Sequence, residues 1–223
     1  MDTRELIARR IAKEFEDGMV VNLGFGMPTA AANYLPNHIK VILQTENGGL
    51  LFGPKPQRGK SDPDLGNSGG EPITMLPGSS AFDLSTSFGI IRGGHVDATV
   101  LGALEVDQEG NIANWKIPGK FIPGMGGGMD LLVGAKRVIV SLMHTDKKGN
   151  SKILKKCTLP LSAAKVVDLI ITDKAVMEVT NEGLVLKEVA PGVTVEEVVQ
   201  MTEAELFIPD YVPEMDVSAL VLA

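Results

Sequence analysis

Residues 19–29 read MVVNLGFGMPT, and the way this stretch is parsed decides the fold. MVVNL is a short, β-rich apolar run. Gly24-Phe25-Gly26 follows it, and Pro28 suits the first position of a new helix, where its missing N–H would have had no partner anyway. Strand, glycine turn and helix in that order open an α/β unit. Upstream, Asp2 and Glu5 have capping-box spacing, and Leu6, Ile7, Ile11 and Phe15 recur at helical intervals until Gly18, which predicts a first helix ending there. Downstream, Pro36 stops the second helix. Residues 39–43, IKVIL, then form a buried type of strand that delivers the chain to Gln44-Thr45-Glu46.

Further along, residues 53–72 (GPKPQRGKSDPDLGNSGGEP) form a loop dense in Gly, Pro, Ser, Asn and Asp with no apolar period. Loops of about twenty residues are unusual within a compact domain and are commonly functional or mobile. Residues 79–92 read as a helix closed by Gly93-Gly94, and residues 97–107 as a strand region bending at Gly102. KRVIVSLM, SKILKKC and VVDLIIT supply further strands, and AVMEVTNEGLVLKEV reads as a hairpin turning at Asn181-Glu182-Gly183. A last helix starts from Thr194, with Glu197 at capping-box spacing. The whole is an α/β fold with a mostly parallel sheet and antiparallel additions. No repeat or linker divides it, so residues 1–223 read as one domain.

Composition removes several function classes. The formal charge of -7 and pI near 5.0 argue against a nucleic-acid partner, whose phosphates call for clustered Lys and Arg in excess. No apolar span approaches the roughly twenty residues of a membrane helix, so no membrane partner is expected. One cysteine, Cys157, excludes an internal disulfide and reads as packing. The start MDTRELIARR lacks the layout of a secretory signal, and a cytoplasmic protein is expected. His38, His95 and His144 are scattered without a cysteine or close histidine partner, so the sequence carries no local metal motif.

Three stretches carry chemistry. Gly24-Phe25-Gly26 lies between strand and helix, where backbone N–H groups face an anion; a plain turn, a dinucleotide site and another anion site all remain open. The dinucleotide reading draws on Glu46, which sits about twenty residues on, as the ribose ligand of the Rossmann pattern does; Pro28 and Thr29 count against it. Glu46 itself stands in TENGG. Acid-Asn-Gly is an ordinary turn sequence, yet ligands of α/β sheets bind beyond the carboxyl ends of strands, and Gly48 and Gly49 let a substrate approach the backbone. Glutamate is an anion at neutral pH, and no cysteine or serine–histidine motif nearby offers a stronger nucleophile. The third stretch, IPGKFIPGMGGGMDLL, sets Phe121, Ile122, Met125 and Met129 among its glycines, which suits a packed loop presenting amides to an oxyanion better than a linker. Trp115 in GNIANW reads first as core.

NLGFGMPT, QTENG, IRGGHVD, GNIANWKIPGK and GMGGGMDL, in this order and spacing, resemble the B (beta) subunit of the 3-oxoacid and acetate/acetoacetate CoA-transferases, the family I CoA-transferases. The resemblance runs from about residue 3 to residue 208. It implies a three-layer α/β fold of the kind shared with ribose-phosphate isomerases and glucosamine-phosphate deaminases, and it places the family's covalent nucleophile on Glu46. It also implies acyl-CoA and carboxylic acids as substrates, with coenzyme A exchanged by a ping-pong route and no bound cofactor or metal. The family's A subunit is the implied partner, in a hetero-oligomer of two A and two B subunits. Gly24, Phe25, Gly26, Asn47, Gly48, Gly126, Gly127 and Gly128 become candidates for the oxyanion or substrate contacts. Related sequences carry Leu-Leu-Gly-x-Gly-Pro after the Glu-Asn-Gly motif; here Gly49 takes the first leucine position and Leu51 the later glycine. Gly128 stands where the family commonly has alanine. Two rivals remain at this stage: a nucleotide-binding oxidoreductase, and a non-enzymatic sugar-phosphate-sensing domain on the related fold.

Overall fold

The computed structural model describes residues 1–36, 38–120 and 124–218. Phe121, Ile122 and residues 219–223 lie outside the described residues. α1 (Thr3–Ala12) is capped by Asp2, whose Oδ1 accepts the Glu5 N–H at 2.7 Å; the Glu5 carboxylate pairs with Arg9 one turn later, at 2.7 Å. The helix ends before the predicted Gly18. Phe15 nevertheless stays buried, 5% exposed, so the apolar spacing outlasts the helix that suggested it.

β1 (Val20–Leu23) enters the glycine turn, and Pro28 starts a helix as predicted, although of 3-10 type (Pro28–Tyr34). β2 (Ile42–Thr45) begins later than the predicted strand and runs up to Glu46. β3 (Gly49–Gly53) and β4 (Thr74–Ala81) precede α2 (Leu84–Arg92), so the predicted helix 79–92 loses its first residues to a strand. Its actual start is Asp83, which accepts the Thr86 N–H at 2.7 Å. The chain continues through β5 (Ala98–Gly102), β6 (Glu105–Asp107), β7 (Ile112–Ala113), α3 (Gly128–Gly134), β8 (Val138–Leu142) and β9 (Ile153–Leu154). It closes with β10 (Leu169–Thr172), the hairpin β11 (Ala175–Thr180) and β12 (Gly183–Val189), α4 (Val195–Met201) and β13 (Leu206–Phe207). The capping box at Thr194 and Glu197 is complete.

A ten-stranded sheet has the order β13-β12-β11-β10-β8-β5-β1-β2-β3-β4. Its centre, from β10 to β2, is parallel; β11 and β12 flank it antiparallel on one side, β3 and β4 on the other. Strand alternation sends the side chains to two cores. Ala98, Val100, Ile139, Leu169 and Ile171 face Ile7 and Ile11 of α1, whereas Leu101, Val138, Val140 and Ile170 face Ile91 of α2, Leu131 of α3 and Val198 of α4. A three-stranded sheet, β7-β6-β9, joins the second core through Val106, Ile112 and Ile153. Helix layer, sheet and helix layer make the expected three-layer α/β fold. The predicted bend at Gly102 is the point where the chain leaves the large sheet for the small one.

Candidate active site

β1 and β2 run parallel with Asn22 opposite Gln44. Val21 and Leu43 face α1, so Asn22 and Gln44 turn toward α2, where both are 1% exposed. Asn22 Nδ2 donates to Gln44 Oε1 at 2.7 Å, and Gln44 Nε2 donates to Ser87 Oγ of α2 at 3.1 Å. Glu46 is the first residue beyond β2 and is half-buried. Its Oε2 lies 3.4 Å from the same Asn22 nitrogen. The sequence predicts Glu46 at a strand's carboxyl end, and the structure places it there. Asn22 and Ser87 do not follow as site residues from spacing alone; for Asn22 the available signal is a polar residue inside the apolar run VVNL, and for Ser87, on α2, there is none.

The turn after Glu46 admits only glycine at position 48. Gly48 has φ +118°, and a Cβ there would lie 2.1 Å from the Phe82 carbonyl oxygen. Its N–H closes the turn on Thr45 O at 3.0 Å. Asn47 is exposed and faces the long loop, donating to Gly66 O at 2.8 Å while its own Oδ1 accepts from Thr45 Oγ1 at 2.7 Å. Thr45 Oγ1 also accepts the Ser68 N–H at 2.9 Å. Within the loop, Asn67 Oδ1 accepts the N–H groups of Gly69 and Glu71, each at 3.0 Å. The inner part of the predicted loop is thus hydrogen-bonded onto the turn that carries Glu46.

Gly127, the N-cap of α3, closes the other side: a Cβ on it would stand 3.2 Å from both Cγ and Oε1 of Glu46 and 3.2 Å from Phe88 Cζ. Phe25, 72% exposed, packs its ring against Gly69. The structure therefore sets the start of α3 against the Glu46 carboxylate and the root of the long loop against its turn, with the 24–26 turn packed on that loop through Phe25. The candidate amides differ in availability. Those of Gly24, Gly48 and Gly128 donate to Val100 O, Thr45 O and Met125 O at 2.8, 3.0 and 3.1 Å. Those of Phe25, Gly26, Gly126 and Gly127 have no acceptor among the described residues.

Alanine at position 128 would meet no atom within 4 Å, so the glycine there leaves the packing unchanged. Leu51 has greater effect: it keeps a left-handed backbone, φ 59°, at a bulge between β3 and β4. Trp115 is half-buried at the surface, donating Nε1–H to Leu161 O at 3.1 Å, so it is not the core residue expected. Cys157 is half-buried, and burial beside Asp107 and Glu105 pushes its thiol well above the usual range, which suits packing rather than attack. Among the described residues no group of three or more His, Cys, Asp or Glu side chains is arranged to hold a metal ion, and no helix is long and apolar enough to cross a membrane.

Comparison with known proteins gives concordant results. The coenzyme A transferase family model matches residues 4–201. The beta subunit of the acetate CoA-transferase of Haemophilus influenzae is 53% identical over 98% of this chain and 97% of its own length. The B subunit of the succinyl-CoA:3-ketoacid coenzyme A transferase of Helicobacter pylori strain 26695 is 50% identical over 91% of this chain and 97% of its own. Among solved structures, an acyl-CoA transferase apoenzyme of Escherichia coli O157:H7 superposes with a TM-score of 0.78 at 24% identity, and establishes the likeness of fold. This chain covers 45% of that one, while 100% of this chain is matched.

Proposed function

The chain belongs to the coenzyme A transferase family and is a CoA-transferase beta subunit, and from that premise we propose that it moves CoA between a 3-oxoacid such as acetoacetate and another short-chain or dicarboxylic acid through a covalent intermediate on Glu46. One observation carries the assignment to Glu46. Its carboxylate is half-buried just past a parallel strand, with one oxygen beside an amide donor and the other beside Gly127, where a side chain would crowd it.

The carboxylate attacks the acyl-CoA thioester and releases CoA thiolate, leaving an acyl-glutamyl anhydride. The thiolate attacks the glutamyl carbonyl, which frees the first acid and leaves an enzyme-CoA thioester. An incoming acid reverses both steps. Covalent catalysis divides one hard exchange into easier ones, and no external energy source is required because a thioester is consumed and a thioester is made. A carboxylate attacks a thioester poorly in water, so contacts to the distant parts of CoA position and desolvate the reacting groups. The amides of Phe25, Gly26, Gly126 and Gly127, which have no acceptor among the described residues, are the candidate donors to the substrate oxyanion, whereas Gly24, Gly48 and Gly128 shape the backbone around them.

The family's A subunit completes the enzyme, in an assembly of two A and two B subunits, and this chain contributes residues 1–223 as one domain. The exposed apolar side chains of Phe25, Leu84, Met129 and Val133, on elements that surround or adjoin Glu46, supply surface for that partner. The setting is cytoplasmic. The test adds acyl-CoA to the chain assembled with that partner, traps with borohydride and maps the adduct by peptide mass. Modification is expected at Glu46 and lost in Glu46→Gln. Glu46→Asp is expected to be inactive because one lost methylene withdraws the attacking oxygen. Full activity in Glu46→Asp would remove the assignment.

A further inference from the structure

Asn22 is the polar member of a strand, VVNL, whose other residues are apolar. It is 1% exposed, and its Oδ1 has no protein partner among the described residues. A buried, unsatisfied amide oxygen is destabilising. The amide has a compensating direction. Its Nδ2 carries two protons. One reaches Gln44 Oε1 at 2.7 Å; the other lies between Gln44 O at 3.3 Å and Glu46 Oε2 at 3.4 Å. The Gln44 carbonyl and the Glu46 carboxylate only accept, so a reversed amide would set oxygen against oxygen. Gln44 is in turn held by its bond to Ser87 Oγ on α2. The two oxygens of Glu46 are therefore unlike: Oε1 adjoins Gly127, and Oε2 faces a donor fixed by two strands and a helix.

We infer that Asn22 is a further catalytic residue of the transfer, the donor that holds Oε2 of Glu46 as the carbonyl oxygen of the covalent intermediates and stabilises the charge that builds on it. The inference rests on Glu46 as nucleophile. In the anhydride, Oε1 is bonded to the acyl carbon. The CoA sulfur adds to Cδ of Glu46, and the carbonyl pair moves onto Oε2 beside Asn22 Nδ2. When that pair returns, the Cδ–Oε1 bond breaks, and the free acid leaves as a carboxylate that carries Oε1. Oε2 remains on the enzyme as the thioester carbonyl. The long separation of 3.4 Å belongs to the resting carboxylate, and such bonds tighten as charge develops. The same donor serves the return step, in which the incoming acid attacks the thioester.

The test is made on the assembled hetero-oligomer with Asn22→Leu and Asn22→Asp. Asn22→Leu keeps the size and removes the donor: kcat is expected to fall about 100-fold, with KM for acyl-CoA changed by less than roughly threefold. Its melting temperature is expected to fall modestly, because the leucine also leaves the buried Gln44 Oε1 without its donor; the fall in kcat at near-constant KM, with assembly intact, carries the test. Asn22→Asp is expected to be slow at neutral pH and to recover as pH falls, since only the protonated acid donates; a purely structural residue gives no such profile. Borohydride trapping of the wild type keeps the two claims apart. No adduct at Glu46 in the wild type removes the nucleophile itself. An adduct there, with kcat of both variants within about threefold of wild type, overturns the role of Asn22 alone. So does a fall in kcat matched in both variants by lost assembly or by an equal loss of substrate binding.

Discussion

Gly127 and Glu46 share a space with no room for another side chain: a methyl group on the glycine would stand 3.2 Å from both Cγ and Oε1 of the glutamate. Gly127 has φ -77° and ψ 0°, a backbone that alanine adopts without strain. Gly127→Ala is therefore expected to fold normally and displace the carboxylate by a few tenths of an ångström. The transfer rate should fall about 10- to 100-fold, because small misplacements of reacting atoms are felt strongly. Steady-state kinetics on the assembled enzyme, beside a thermal melt, separates lost rate from lost fold. A wild-type rate would mean the carboxylate has other room.

Arg10 ties the first helix to the sheet. Its side chain, on a residue 7% exposed, bonds Glu188 of β12 in two places, at 2.6 and 2.8 Å, and also pairs with Glu14, which Arg137 contacts from the start of β8. Burial opposes the charge on Arg10, while Glu188 and Glu14 raise its pKa above the ordinary value. Breaking such a network from one side leaves the half-buried Glu188 carboxylate without its partner, while Glu14 keeps Arg137. Arg10→Ala should destabilise the fold by about 3–5 kcal/mol in chemical denaturation. A loss below about 1 kcal/mol would class the network with solvent-screened surface pairs.

His144 sets an acid limit. The ring is fully buried, with Nδ1 3.0 Å from Thr172 Oγ1 and Nε2 2.9 Å from Thr202 Oγ1, and burial pushes its pKa from the ordinary 6.5 down to about 4. Asp173 opposes that shift and Lys174 adds to it. The unfolded chain takes up a proton near pH 6.5 and the folded chain only near pH 4, so the contribution is whole above 6.5 and drains as pH falls toward 4. The loss is on the order of 3 kcal/mol at its limit. Melting temperatures followed from pH 7 to pH 4 should fall less steeply in His144→Gln than in the wild type. Equal slopes would place the proton uptake elsewhere.

Features legible in the sequence were those decided within a few residues. MVVNLGFGMPT gave strand, turn and helix start because Gly24 and Pro28 are local signals, and Glu46 was located because the strand before it is apolar and the turn after it is glycine-rich. The hairpin at Asn181-Glu182 and the Thr194 cap are local in the same sense. β4 was hidden because TMLPGSSA lies at the sheet edge with mostly exposed side chains and a Pro77-Gly78 interruption, which leaves no alternation to read. Phe15 extended the helical pattern past Ala12 because it packs into the same core after the helix has ended. The bond from Asn22 to Gln44 depends on the register of two strands joined by a crossover, and sequence spacing does not supply it. The contact of Gly127 with Glu46 is likewise tertiary.

The bonds between the long loop and Thr45 and Asn47 involve Gly66 and Ser68, and they divide that loop into two parts with different mechanical coupling to Glu46. Its outer arm, residues 54–64, makes no hydrogen bond to Thr45, Glu46 or Asn47 among the described residues, so changes of length there are expected to leave the carboxylate in place. Its root, residues 66–71, is tied to the turn that carries Glu46, so a graft that swaps the whole segment is expected to keep that carboxylate in place only when the turn travels with it.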